Sequence, residues 1–385
     1  MVLTDRFREP QAAQAILEAI RARSTRPLRL MEFCGGHTHA ILRLGIPALL
    51  PETIELRSGP GCPVCVTSAT DLDHAIALAR VPEVILTTFG DMVRVPGSRT
   101  SLAQAKADGA DVRVVYSPLD ALQIAREYRN RSVAFLGVGF ETTAPMVAAA
   151  VLAAEAEGIR NFTVFSVHKL TPPATRAILD SGDVALDGVI GPGHVTTIIG
   201  ADAWCFLPEE YQLPCAIAGF EPVDLLRAIH ALVTMVEEGD VKVINAYDRS
   251  VSRRGNAAAL QALSQVFEVA DVEWRGLGTV PQSGLSVRET YAAFDASRVF
   301  PVEVFPAREP AGCRCGDVLR GVLSPQECPL FGEGCTPERP IGPCMVSAEG
   351  ACSAHFRYRH QPDRHAQDHA DRKPDPAGSR PEKGA

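Results

Sequence analysis

Leu28-Arg-Leu-Met-Glu-Phe33 reads as a short, largely apolar strand that runs directly into Cys34-Gly-Gly-His37-Thr-His39, so a chemically loaded loop begins where a strand ends. In open α/β sheets ligands bind in loops at the carboxyl ends of strands, and the chain repeats this unit. A β-branched or apolar run, a Gly- or Pro-bearing turn and an Ala/Leu-rich helical segment recur. The runs are Val84-Ile-Leu-Thr-Thr-Phe89, Val112-Arg-Val-Val-Tyr116, Val133-Ala-Phe-Leu-Gly-Val138, Phe162-Thr-Val-Phe-Ser-Val167, Val189-Ile190 and Ala216-Ile-Ala218. Such alternation predicts an α/β protein with parallel sheets. Helical spacing of Ala, Ile and Leu predicts an opening helix over 12–22, and a long helical stretch follows over 223–238.

The expected organisation is two similar parallel-sheet α/β domains, residues 1–118 and 119–219, with 220–306 as a segment able to complete the first. Composition changes after Pro306. Six of the eleven cysteines lie between Cys313 and Cys352 among many Gly and Pro residues, which suits a small, loop-rich, metal-organised module over 307–358. The tail 359–385 has almost nothing apolar and is expected to be disordered, its His360, His365 and His369 belonging to a solvated segment.

With 385 residues and 46% hydrophobic content the chain can bury more than one core. The net charge of −8 lacks the excess of Lys and Arg that a nucleic-acid partner needs. The first ten residues have no apolar signal core, and the apolar stretch 144–154 is too short to span a bilayer, so a cytoplasmic location and no membrane partner are expected. In that compartment eleven cysteines point to metal or redox chemistry rather than to structural disulfides.

The strongest local signal is the array Cys313-Arg-Cys315, Cys328, Cys335, Cys344 and Cys352. Cys315, Cys328, Cys335 and Cys352 stand at C-x12-C-x6-C-x16-C, and an iron-sulfur cluster needs four thiolates carried on loops free to bend, which the intervening Gly and Pro residues provide. Zinc more often takes paired C-x2-C knuckles, which this array lacks. Spacing leaves Cys313 and Cys344 as possible ligands. Gly59-Pro-Gly-Cys62-Pro-Val-Cys65 is a Cys-x-x-Cys pair at a glycine-rich turn before a helix. That setting suits a reversible dithiol/disulfide, with half of a zinc site or inert packing as the alternatives, and makes both thiols candidate metal ligands. In the Cys34 loop, a soft thiolate with His37 and His39 nearby can bind a transition metal or serve as a low-pKa nucleophile; a structured turn is the plain alternative.

Other loops are weaker signals. Gly137-Val-Gly139-Phe-Glu141 lacks the third glycine of a dinucleotide loop, and Gly191-Pro-Gly193-His194 places a histidine at a strand end where a structural role is equally compatible. Asp91 and Arg94 suggest a simple ion pair, and Cys205 and Cys215 sit in apolar settings as core thiols.

Taken together, Met31-Glu-Phe-Cys34-Gly-Gly-His-Thr-His39, Gly59-Pro-Gly-Cys-Pro-Val-Cys65, Thr88-Phe-Gly-Asp-Met92, Gly139-Phe-Glu-Thr-Thr-Ala-Pro145, Gly191-Pro-Gly-His194, Ala218-Gly-Phe-Glu-Pro222 and Pro343-Cys-Met-Val-Ser-Ala-Glu-Gly-Ala-Cys352 resemble the signature stretches of the HypD family of [NiFe]-hydrogenase maturation factors. The resemblance runs in order over about 10–358. It implies an assembly scaffold with an internal redox step, whose status as an enzyme is partly a matter of definition. Such a scaffold pairs with a HypC-type chaperone, holds the iron of the Fe(CN)2CO unit at Cys34 and accepts cyanide from a HypE-type donor, with the hydrogenase large-subunit precursor as a further partner. It implies that His37 and His194 lie near that iron. Cys315, Cys328, Cys335 and Cys352 would form a [4Fe-4S] module close to Cys62 and Cys65, an arrangement similar to ferredoxin:thioredoxin reductase. Two rival readings are an iron-sulfur thiol/disulfide reductase, which would need Cys62 and Cys65 but not Cys34, and a zinc-stabilised interaction module.

Overall fold

The continuous apolar runs fold as strands covered on both faces, the pattern that parallel sheets impose. A computed structural model describes residues 5–304 and 307–358; the tail with His360, His365 and His369 lies outside the described residues. The strands are β1 (Leu28–Glu32), β2 (Ile54–Ser58), β3 (Val84–Thr88), β4 (Val112–Val114), β5 (Ser132–Gly137), β6 (Phe162–Ser166), β7 (Gly188–Pro192), β8 (Cys215–Ala218), β9 (Val243–Asn245), β10 (Phe267–Trp274) and β11 (Gly278–Val287). Five form one parallel sheet in the order β2-β1-β7-β8-β9, and four form a second in the order β4-β3-β5-β6. This is the α/β architecture expected.

Sheet membership follows a different division from a cut at residues 118 and 219. β3 and β4 join β5 and β6, whereas β7, from within 119–219, pairs back onto β1 and carries β8 on its other edge. Apolar runs identify strands, but a fully buried strand carries the same sequence whichever neighbour it pairs with. Helix Pro10–Arg23 packs on helix Pro222–Glu238, and Leu17, Ile20, Leu225, Ile229 and Leu232 share a core with Leu28, Leu30, Ile190 and Ala216 of the first sheet. Each such fully buried aliphatic contributes about 1.5–3 kcal/mol. The second sheet is covered on one face by helices Pro118–Glu127 and Ala144–Ala156 and on the other by helix Ala69–Ala79. The apolar stretch at 144–154 is thus a core helix, and among the described residues no helix is long and apolar enough to cross a membrane.

β10 and β11 form an antiparallel hairpin that the parallel pattern does not announce. Its base, with Phe267 and Val287, belongs to the core of the second sheet, while Trp274 near its tip packs among Cys62, Cys65 and Cys315. Residues 313–358 add short helical turns joined by loops, ending in helix Ala351–Tyr358, which lies on helix Gly35–Arg43.

Candidate functional site

Because β1 and β2 pair in parallel and end level, Glu32 opposite Ser58, the loops that follow them emerge side by side. Cys34 is the extended residue that precedes helix Gly35–Arg43. Gly61 lies directly on it: a methyl group there would stand 2.2 Å from the Cys34 nitrogen and 2.5 Å from its Cα, and the Gly35 amide donates to the Gly61 carbonyl at 2.7 Å. Only glycine permits so close an approach. Cys62 follows as the cap of the short helix Pro63–Val66, whose proline fills a first-turn position without costing a hydrogen bond. Cys62 and Cys65 are joined as a disulfide and are 3% and 0% exposed. A methyl group on Gly35 would touch the Cys62 Cβ at 3.2 Å and the Glu349 Cβ at 2.7 Å, so the Cys34 loop is held between the disulfide and the C-terminal segment.

Burial, and then the neighbouring Glu32 carboxyl, push the Cys34 thiol up to about 12. This weighs against a low-pKa nucleophile: the start of a helix does not ionise a half-buried thiol held beside an acid. Such a thiol ionises when a cation replaces its proton, which is how a metal ligand behaves. Glu32 is itself pushed up to about 7 by burial, although its carboxylate accepts from the Cys34 amide at 2.7 Å and from the Thr38 hydroxyl.

His37 and His194 meet across Phe220, with ring centroids 4.7 and 3.8 Å from the phenyl. They come from helix Gly35–Arg43 and helix Gly193–Ile199, which follow the adjacent strands β1 and β7. Burial drives His37 down to about 4; its Nε2 lies 3.2 Å from the Ala218 carbonyl, to which it donates, and Nδ1 is buried with no partner. A neutral imidazole with one free ring nitrogen is what a metal or a protonated ligand can use. His39 is different. Its Nδ1 donates to the Ala348 carbonyl at 3.2 Å and its Nε2 accepts from the Tyr358 hydroxyl at 3.2 Å, so it fastens the C-terminal segment to the Cys34 helix.

Cys313, Cys315, Cys328, Cys335, Cys344 and Cys352 all line one apolar hollow together with Leu330, Phe331 and Met345. The Cys315 thiol is held well below its usual value because the Cys313 and Cys344 thiols hydrogen-bond to it, and those two are pushed up in return. Among the described residues no three His, Cys, Asp or Glu side chains stand at metal-ligand spacing. The thiols converge on a shared hollow without closing on a point. Six soft donors around an apolar hollow, carried on loops, short helical turns and the start of helix Ala351–Tyr358, nonetheless fit an iron-sulfur cluster, with more thiols than its four ligand positions need. The hollow adjoins the disulfide: the Cys65 sulfur lies 3.9 Å from the carbonyl of Pro343, the residue before Cys344.

The weaker loop signals resolve as structure. Asp91 and Arg94 do not form the expected ion pair among the described residues; Arg94 donates to the Val346 carbonyl at 3.2 Å, and the Glu349 carboxyl is pushed up, first by its packing and then by Asp91. Glu141 turns inward to accept from the Thr171 amide at 2.8 Å, where burial lifts it to about 7. Cys215 is buried within β8, whereas Cys205 is partly exposed. Sequence reading gives no role to Glu32, Phe220 or Glu349. Glu32 had a signal, an acid at the end of an apolar strand immediately before a thiol loop.

The HypD family model, described as "Hydrogenase formation hypA family", matches residues 11–359. A hydrogenase maturation factor HypD of Azotobacter vinelandii is 49% identical over 370 residues, covering 94% of this chain and 98% of that protein. The hydrogenase maturation factor HypD2 of Bradyrhizobium diazoefficiens is 48% identical over 368 residues, 93% and 97% of the two chains. The hydrogenase maturation factor HypD of Escherichia coli K12 is 45% identical over 369 residues, 94% and 99%. With a match this long and this even, laid over the Cys34, Cys62/Cys65 and C-terminal cysteine sites, the chain belongs to the HypD family of hydrogenase maturation factors.

Proposed function

We propose that this maturation factor holds an iron atom at Cys34, shared with a HypC-type chaperone, and there assembles the Fe(CN)2CO unit with cyanide delivered by a HypE-type donor before transfer to a hydrogenase large-subunit precursor. The observation that carries the reading is the sequence of contacts from the Cys34 loop to Cys62, and from Cys65 to Pro343 beside the six-thiol hollow. The iron is cargo. Binding it requires Cys34 to give up its proton, and Glu32 is a buried acid at hand whose pKa near 7 allows it to take one up.

Release of cyanide from a donor thiocyanate takes two electrons. In the reduced state the Cys62 and Cys65 thiols provide them together with two protons: the Cys62–Cys65 bond forms, the donor sulfur–carbon bond breaks, the donor sulfur leaves as a thiol and the carbon leaves as hydrogen cyanide, which binds the iron as cyanide. A [4Fe-4S] cluster on four of the six C-terminal thiols would return electrons to the disulfide one at a time. His37 and His194 flank Phe220 beside Cys34, His194 stacked on the ring and His37 tilted to it; the N–H of neutral His194 can donate to a diatomic ligand, while the free Nδ1 of His37 can accept a proton or a hydrogen bond. A role as a general disulfide reductase is less well supported, since Cys62 and Cys65 are buried and cannot meet a bulky protein disulfide directly.

The test is anaerobic purification with and without the small chaperone, followed by iron and sulfide analysis and infrared spectroscopy. The expected result is about four iron and four sulfide per chain for one cubane, plus CN and CO bands in the complex. Cys34→Ala should keep the cluster and lose the bands. Bands that persist in Cys34→Ala would place the iron elsewhere.

A further inference from the structure

Arg275, at the tip of the β10–β11 hairpin, is a fully enclosed cation at 3% exposure between the two cysteine sites. Its amide donates to the Val66 carbonyl at 2.9 Å and its Nε to the Thr67 carbonyl at 3.1 Å, so it grips the end of the helix that carries Cys62 and Cys65. Thr67 and Trp274 add an antiparallel bridge beside it. The next residue, Gly276, presses backbone to backbone on Gly316: a methyl group there would stand 2.5 Å from the Gly316 Cα, next to Cys315. Nη1 pairs with Glu309, which also lies within the electrostatic reach of Cys315, and Nη2 is buried with no partner. A buried guanidinium nitrogen left unpaired destabilises the fold, and ordinary packing gives no reason to keep it.

We propose that Arg275 is a positioning residue that raises the reduction potential of the cluster held around Cys315 and keeps the Cys62/Cys65 helix in register with it. This rests on the cluster reading above. Reduction adds one negative charge to a cluster, and a fixed cation in a medium of low dielectric favours the reduced form. Glu309 opposes it only partly. Its side chain is 54% exposed and screened by water, whereas that of Arg275 is 1% exposed, so the pair presents a net positive field to Cys315. The hairpin that brings Arg275 here is rooted in the core of the second sheet, which fixes its position against both cysteine sites.

The experiment is an anaerobic redox titration of the full-length protein, followed by electron paramagnetic resonance, with iron and sulfide measured in each variant. Arg275→Gln should keep its iron and sulfide and disfavour reduction by about tenfold, a fall of ~59 mV for one electron. Arg275→Lys should recover most of the shift, and Glu309→Gln should move the potential upward by a smaller amount. A purely structural role would instead give loss of cluster or shifts of one sign. An unchanged potential in Arg275→Gln, or a downward shift in Glu309→Gln, overturns the proposal. Should Arg275→Gln fail to fold, Arg275→His decides: a potential that falls as the imidazole loses its charge with rising pH supports the proposal, and one that follows the wild-type pH profile overturns it. Wild-type protein without iron and sulfide would overturn the cluster reading itself, and this inference with it.

Discussion

Gly61→Ala tests the geometry of the site without touching a thiol. The added methyl would stand 2.2 Å from the Cys34 nitrogen, more than an ångström inside the ordinary contact distance of 3.4 Å, and its obstacles are backbone atoms that cannot swing aside. The Cys34 loop must retreat, and the Gly35 amide then loses its 2.7 Å bond to the Gly61 carbonyl. Overpacking costs about 1–3 kcal/mol and the hydrogen bond about 1 more, so the expected loss is ~2–4 kcal/mol. Urea unfolding of the anaerobic protein reads the loss as a lower midpoint at unchanged slope. Alkylation of Cys34, followed by mass spectrometry, should become faster as the loop opens. Gly90→Ala is the control, because its methyl would meet only the Val114 side chain at 3.6 Å and should cost less than about 0.5 kcal/mol. A Gly61→Ala protein as stable as that control, with Cys34 equally protected, would refute the account of why the two loops adjoin.

Burial holds His168 at about 3, so the unfolded chain binds a proton there from pH 6.5 downward while the fold does not; its share of stability is complete above pH 6.5 and is lost toward pH 3. His168→Gln should flatten the acid limb of a stability-versus-pH curve by up to about 1.4 kcal/mol per pH unit, and an unchanged limb would show that other groups carry it. Phe220→Leu should leave iron and sulfide content intact yet lower hydrogenase maturation, because both imidazoles lose the ring they pack against; normal maturation in a complementation assay would count against those histidines. On the cluster reading, Cys335→Ala should lose iron and sulfide and loosen the C-terminal segment to limited proteolysis, since a metal held there would supply folding energy; full retention of iron would remove Cys335 from the ligands.

The central strands were legible because a strand buried on both faces is largely apolar, as Val84–Thr88 is buried at every position, whereas the half-exposed edge strands β2 and β9 left no such run. Which sheet a strand enters was not, because pairing depends on crossovers that carry no local mark, as the return of β7 to β1 shows. The thiol sites announced themselves through residue type and spacing. Their relation did not, since Cys65 meets Pro343 across 278 positions. Glu32, Phe220 and Arg275 stayed silent for a similar reason: each matters through what lies beside it in space. The Cys34 pKa was misread as a possible low value because a thiol before a helix suggests ionisation, whereas burial beside Glu32 prevails.

The last described helix has a consequence for the order of events in making the protein. Ala348 and Tyr358 clasp His39 across 309 and 319 positions, and Glu349 covers Gly35. Contacts so distant along the chain close late, after the loop entropy between their ends has been met. On the ribosome the Cys34 pocket therefore remains a bay open to water until nearly the whole chain has emerged, and it is roofed over by the same few residues that complete the ring of C-terminal thiols. Closure of the one and completion of the other depend on the same segment, so a change within residues 348–358 would disturb both sites at once.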